Sequence, residues 1–283
     1  LGSIGNGPSI IRGCSFGADT QATVDVLRAL GTDIEHSNGN CLVTGQGLYG
    51  LTEPTNVLDC GNSGTTMRLT AGLLAGRPLF AVLTGDTSLR SRPMERIINP
   101  LRVLGARIEG RASGTLAPLT ISTSKLRGAE LDITVASAQV KSAITLAALR
   151  AEGTTLIRQP APSRDHTERM VSAMGGKVEE DGLNLTVLPT ELTAVDIAVP
   201  GDISSAAFWI VAGLCHPNAQ IMVKGVGLNH SRTGIIDVLQ NMGAGDSLKL
   251  TNQRHEGGEP VADILVTSTG LNGYEISGDL IPR

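Results

Sequence analysis

The chain has 283 residues, 41% hydrophobic and 18% charged, enough for two ordinary domains with a sizeable core. A net charge of −4, no Lys/Arg block and only 2% aromatic residues argue against nucleic acid as the main partner and against stacking platforms for bases. Cys14, Cys41, Cys60 and Cys215 form no C-x-x-C pair and no metal spacing, so they read as small buried or half-buried thiols of a reducing cytoplasm. The opening Leu1-Gly-Ser-Ile-Gly has no basic n-region, and the longest apolar stretch, Ala206–Cys215, is too short to span a bilayer; a cytoplasmic protein is expected.

In chain order, a helix-like segment first closes at Val26-Leu-Arg-Ala-Leu-Gly31 and leads into an extended run. A second extended run, Asn56–Asp59, meets an apolar helical run, Leu69–Ala75, across the small-residue junction Gly61-Asn-Ser-Gly-Thr-Thr-Met-Arg68. Next comes Gly85-Asp-Thr-Ser-Leu-Arg-Ser-Arg-Pro-Met-Glu95, which places Arg90 and Arg92 in a loop and Pro93 at a helix start. Leu101-Arg-Val-Leu-Gly105 repeats the first helix ending. The junction recurs as Ala136-Ser-Ala-Gln-Val-Lys141 and Gly201-Asp-Ile-Ser-Ser-Ala206, and the helix ending as Met170–Gly175 and Val238–Gly243.

These features recur in phase about every 70 residues. Each glycine of the set Gly31, Gly105, Gly175 and Gly243 sits where a helix C-terminus takes a left-handed residue. The unit reads strand–helix–strand–helix–strand–strand, too small to bury its own core, so the units pack against their sisters. By this phase, Leu1–Pro8 matches only the end of a helix, and Tyr274–Ile281 matches a strand plus junction. Truncation at both ends is expected.

Four clusters carry candidate chemistry. At the Gly61–Arg68 junction, helix N-terminal N–H groups and Arg68 suit phosphate or carboxylate, although Asn, Ser and Thr there also fit a plain N-cap. Arg90 and Arg92 suit a dianion. Ser137 and Gln139 offer hydroxyl and amide groups at a helix start, with Lys141 just inside. Pro162-Ser-Arg-Asp-His-Thr-Glu-Arg169 is a polar helix start whose Asp165, Thr167 and Glu168 fit a cap with first-turn acids. No Ser–His–Asp order, Walker loop or G-x-G-x-x-G is present, so the clusters favour a small hydroxylated ligand that carries its own phosphate.

Five segments in order resemble the 5-enolpyruvylshikimate-3-phosphate synthases: Leu58–Arg68, Thr84–Pro93, Ala136–Ser142, Ser163–Glu168 and Val199–Ala206. The resemblance implies an α/β (α+β) fold of repeated βαβαββ units in an inverse α/β barrel-like domain, plus part of a second such domain. It divides the chain into 1–198, a nearly complete three-unit domain, and 199–283, the incomplete start of the other. It implies transfer of the enolpyruvyl group of phosphoenolpyruvate to the 5-hydroxyl of shikimate 3-phosphate, with release of phosphate. No metal or cofactor is implied, and the intact protein is expected to be a monomer.

By the same resemblance Gly64, Asn62, Arg92 and Gln139 face phosphoenolpyruvate. Ser137, Ala138, Gln139, Ser163 and Arg164 face shikimate 3-phosphate, and His166 stands where some relatives place an aromatic hydroxyl. Ala138 departs from relatives with a second serine. The family's Lys-Ser-x-x-x-Arg segment is expected before Leu1 and its acidic catalytic residues beyond Arg283, so the chain is expected to bind substrate without turnover. The rivals are a UDP-sugar enolpyruvyl transferase and a non-catalytic repeat module.

Overall fold

The helix-ending glycines set the frame. In a computed structural model describing residues 1–37 and 39–277, Gly31, Gly105, Gly175 and Gly243 have φ of +89°, +97°, +82° and +97°, the left-handed conformation that glycine takes without steric cost. Each ends a helix in the same way. The residue after the glycine donates back to a carbonyl five positions earlier: Thr32 to Leu27, Ala106 to Leu101, Gly176 to Val171 and Ala244 to Leu239, at 2.8–3.0 Å. The residue before each glycine then accepts from a later strand or loop, from Thr52, Arg127, Thr193 and Asn272, at 2.8–2.9 Å.

Four repeats follow. The first holds β1 (Gly5–Arg12), α1 (Ala18–Ala29), β2 (Asp33–Ser37) and β3 (Asn40–Gln46). The second holds β4 (Leu58–Asp59), α2 (Gly64–Leu74), β5 (Ala81–Thr84), α3 (Thr87–Ser91), α4 (Glu95–Val103), β6 (Arg107–Gly110), the single turn α5 (Arg111–Gly114) and β7 (Leu116–Ser122). The third holds β8 (Glu130–Asp132), α6 (Ala138–Ala148), β9 (Thr155–Arg158), α7 (His166–Ala173), β10 (Lys177–Asp181) and β11 (Asn184–Leu188). After β12 (Leu192–Thr193) and β13 (Ile197–Ala198), the last holds α8 (Ile203–Cys215), β14 (Gln220–Gly227), α9 (Gly234–Asn241), β15 (Leu248–Glu256) and β16 (Glu259–Thr267).

The sheets share one plan. Their orders are β4-β5-β7-β6, β8-β9-β11-β10 and β14-β16-β15, with parallel pairing at β4–β5 and β8–β9 and antiparallel pairing elsewhere. The first sheet, β12-β1-β3-β2, borrows its parallel strand from far along the chain: Leu192 and Thr193 pair with Gly5 and Asn6. Asp196 reinforces that closure, accepting from the Ile10 N–H at 2.9 Å and pairing with Arg12 at 3.0 Å.

The chain forms two compact units. One comprises Leu1–Pro162 with Thr167–Ile197, and the other Ser163–His166 with Ala198–Arg283. In the first unit, α2 and α6 are buried along nearly their whole length, their small and apolar residues packing on all sides while Arg68 and Lys141 are buried with them. They cross at Gly72, where a Cβ would lie 2.1 Å from the Ala143 carbonyl oxygen and 2.6 Å from its Cα. In the second unit, α8 buries Ile203, Ala206, Ile210 and Leu214 against β14 and β16, while Phe208 and Trp209 are 80% and 67% exposed.

Three local expectations differ. Arg90 lies not in a loop but in α3, which the Asp86 side chain caps through the Leu89 N–H at 2.7 Å; Arg92 is the C-cap. Cys215 is exposed rather than buried, because it ends α8, whose outward side is open among the described residues. Of the strand plus junction expected at 274–281, residues 274–277 have no regular secondary structure and 278–281 lie outside the described residues.

Gly72→Ala tests the crossing. On an exposed helix this change gains up to about 1 kcal/mol. Here it is expected to cost about 3 kcal/mol, because the clash is with backbone. Chemical denaturation reads the sign, and a stabilised variant would show that the helices separate without penalty.

Candidate anion-binding site

The site grows from the two helix starts that the α2–α6 crossing brings side by side. Ser63 caps α2, accepting from the Thr66 N–H at 3.2 Å and the Thr66 hydroxyl at 2.8 Å, so the plain N-cap reading of the junction holds for this residue. Ser137 caps α6 through the Val140 N–H at a loose 3.5 Å. Between the helices, Arg68 Nη1 donates to Gln139 Oε1 at 2.6 Å, and Gln139 Nε2 donates to Thr65 Oγ1 at 2.8 Å. Residues 71 positions apart in sequence thus form one polar seam.

Gly64 sits at the head of that seam. A Cβ there would lie 2.8 Å from Arg68 Nη1 and 3.3 Å from Arg92 Nη1, so the absent side chain leaves room for two guanidinium groups. Arg92 Nη2 donates to Asn62 Oδ1, and Asn62 Nδ2 donates to Asp86 Oδ2 at 2.6 Å. Asp86 therefore caps α3 and orients Asn62 at once. The Asn62 amide and then the Leu89 N–H hold its carboxyl below the ordinary aspartate value of 3.8.

The electrostatics are one-sided. Arg68 is only 5% exposed, and burial, then the nearby charges of Arg96 and Arg92, lower its pKa from 12.5 to about 10, leaving it protonated at neutral pH. The Nε atoms of Arg68 and Arg96 are buried without a hydrogen-bond partner. Among the described residues, Arg68, Arg92 and Arg96 enter no ion pair. Cations gathered without a counter-charge are suited to an anionic ligand.

Of the residues singled out from sequence, Gly64, Asn62, Arg92 and Gln139 meet at this corner. Ser137 and Ala138 are the N-cap and first residue of α6 beside Gln139. Arg90 stays apart, its guanidinium turned to Thr87 at 3.5 Å. Ser163 and exposed Arg164 group with the second unit. There His166 Nδ1 lies 2.7 Å from Glu259, and Asn229 Nδ2 donates to Asp165 at 2.6 Å and Glu259 at 3.0 Å. Sequence reading missed Arg96. Its signal is a basic residue in the first turn of α4, where the helix dipole favours acids instead. Among the described residues no helix is long and apolar enough to cross a membrane.

Repeated βαβαββ units and a cationic corner at paired helix starts define an α/β repeat protein with a candidate anion site. A family model described as EPSP synthase (3-phosphoshikimate 1-carboxyvinyltransferase) matches residues 1–277, and the chain belongs to this family. Curated relatives named 3-phosphoshikimate 1-carboxyvinyltransferase, from Citrifermentans bemidjiense and Bacillus subtilis, are 55% and 48% identical over 284 residues. Each match covers 100% of this chain and 66% of the relative, so the chain spans about two thirds of their length. A solved structure described as EPSP synthase from Acinetobacter baumannii has a TM-score of 0.93 and 42% identity, covering 99% of this chain and 64% of that one.

Asp86→Asn tests the Asn62 support while keeping a competent cap. A depressed carboxyl pKa contributes stability that is present above the unfolded value and lost as pH falls through the folded one. The variant is therefore expected to be less stable than the parent at pH 7, with the gap closing as pH falls from about 4. Thermal midpoints across that range check it, and a gap undiminished in acid would refute it.

Proposed function

We propose that this chain carries the anion-binding wall of a 3-phosphoshikimate 1-carboxyvinyltransferase, which moves the enolpyruvyl group of phosphoenolpyruvate onto the 5-hydroxyl of shikimate 3-phosphate. The observation that carries the reading is the Arg68–Gln139 seam with Arg92, Asn62 and Gly64, a cluster of cations that enters no ion pair among the described residues. The names of the Citrifermentans and Bacillus relatives support the same assignment.

In the proposed reaction the 5-hydroxyl gives up its proton and its oxygen bonds to C2 of phosphoenolpyruvate, as the C2–C3 double bond opens and C3 takes a proton. The tetrahedral adduct then expels inorganic phosphate, and a proton leaves C3 to restore the double bond. Gly64, Asn62, Arg92 and Gln139 are assigned to phosphoenolpyruvate, and Ser137, Ala138 and Gln139 to shikimate 3-phosphate. For Ser163 and Arg164 the shikimate 3-phosphate assignment rests on the family resemblance alone. The corner's contribution is to bind the anions and neutralise their charge as the adduct forms and phosphate departs. Asp86 is committed to capping α3 and holding Asn62.

A ligand at one hundred times its dissociation constant adds about 2.7 kcal/mol to stability. Shikimate 3-phosphate is expected to raise the melting temperature of the chain by several degrees, and UDP-N-acetylglucosamine to leave it unchanged. The reverse ranking would overturn the proposal. Gly64→Ala should displace Arg68 and Arg92 from the corner. It is expected to weaken phosphoenolpyruvate about tenfold, near 1.4 kcal/mol, with little effect on shikimate 3-phosphate. Equal losses for both ligands in titration calorimetry would contradict the assignment of Gly64.

A further inference from the structure

Lys141 lies one turn inside α6. Its main-chain N–H donates to the carbonyl of Ser137 at 3.0 Å, and its own carbonyl accepts from Thr145 Oγ1 at 2.9 Å. Its ammonium meets the Glu168 carboxylate at 2.6 Å, with the two side chains 1% and 4% exposed. The next residue, Ser142, places its hydroxyl 2.6 Å from that of Thr167. Two consecutive residues of α6 are thus pinned to two consecutive residues of α7.

Stability does not account for the charged pair. Burying two ions costs much of what their attraction returns, and apolar replacements of similar volume are often as stable or more so. The ammonium also sits near the positive end of the α6 dipole. Burial raises the Glu168 carboxyl above its ordinary 4.5 against the opposing pull of Lys141. A charged pair does, however, fix register, whereas apolar contact is non-directional. With the Ser142–Thr167 bond beside it, the pair sets both the rotation of α6 and its height on α7.

We propose that Lys141 and Glu168 are positioning residues, holding the first turn of α6 so that Ser137, Gln139 and the free N–H groups of that turn face the phosphorylated substrate. The inference rests on the proposed function for the ligand's identity, but not for the local effect.

The test is the double variant K141M/E168M, compared with K141M and E168Q alone. Each single change strands a buried group and is expected to lower the melting temperature sharply, while the double change restores it to near the parent value. Even so, amide exchange at Val140 and Lys141 is expected to quicken about tenfold in the double variant, with Ile144–Ala147 unchanged, and the dissociation constant for shikimate 3-phosphate to rise about tenfold. A stable double variant with parental exchange at those two amides overturns the proposal. Should that variant not fold, Glu168→Asp, which keeps the charge but withdraws it by one methylene, gives the same reading. If exchange quickens but the parent does not bind shikimate 3-phosphate, the functional reading fails and the positioning role stands.

Discussion

The rest of the first unit depends on how closely α2 and α6 approach. Gly72 lies against the backbone of Ala143, and no other residue fits there without moving a helix. This contact sits well inside both helices, yet its effect is felt at their starts. It brings the first turns near enough for Arg68 and Gln139 to bond, and so makes one polar seam from two separate repeats. Apolar burial drives the helices together, while the missing Cβ determines how far they go.

Around that seam, capping the helices and holding the arginines are separate duties shared among neighbours. Ser63 and Ser137 satisfy the helix starts, whereas Asn62 and Gln139 serve the arginines. Asp86 works from behind, where it holds Asn62 without neutralising Arg68. The corner therefore keeps its positive charge although a carboxylate lies only one residue away in the hydrogen-bond chain. A direct acid–arginine pair would have consumed the charge that the proposed ligand requires.

Much of the fold was legible because glycine at a left-handed helix ending is a local demand, written four times in phase at Gly31, Gly105, Gly175 and Gly243. The junctions were legible for a similar reason, since small polar residues before an apolar run mark a helix start. What stayed hidden was pairing across distance. Lys141 and Glu168 each lie in a polar helix start, but nothing local joins an ammonium in one helix to a carboxylate in the next. Arg96 was hidden because a lone basic residue on an amphipathic helix looks like a solvated one. The loop expected around Arg90 is a capped turn, since Asp86-Thr-Ser-Leu89 encodes a short helix that the nearby arginines overshadowed. The open side of α8, and with it the exposure of Cys215, reflects packing rather than any pattern in the helix itself.

The borrowed strand of the first sheet has a consequence for how the molecule is made. The second and third repeats pair strands drawn from their own residues, so their sheets can close as soon as each repeat has left the ribosome. The first repeat lies ahead of both in the chain, yet its sheet closes only with a strand that follows both. Its β1 edge, at Gly5 and Asn6, waits for Leu192 and Thr193. Throughout that interval it presents unpaired N–H and C=O groups, a template for any passing extended segment. A repeat that lies earlier in the chain thus stays exposed until two later ones have been made, and the order of synthesis runs against the order of closure.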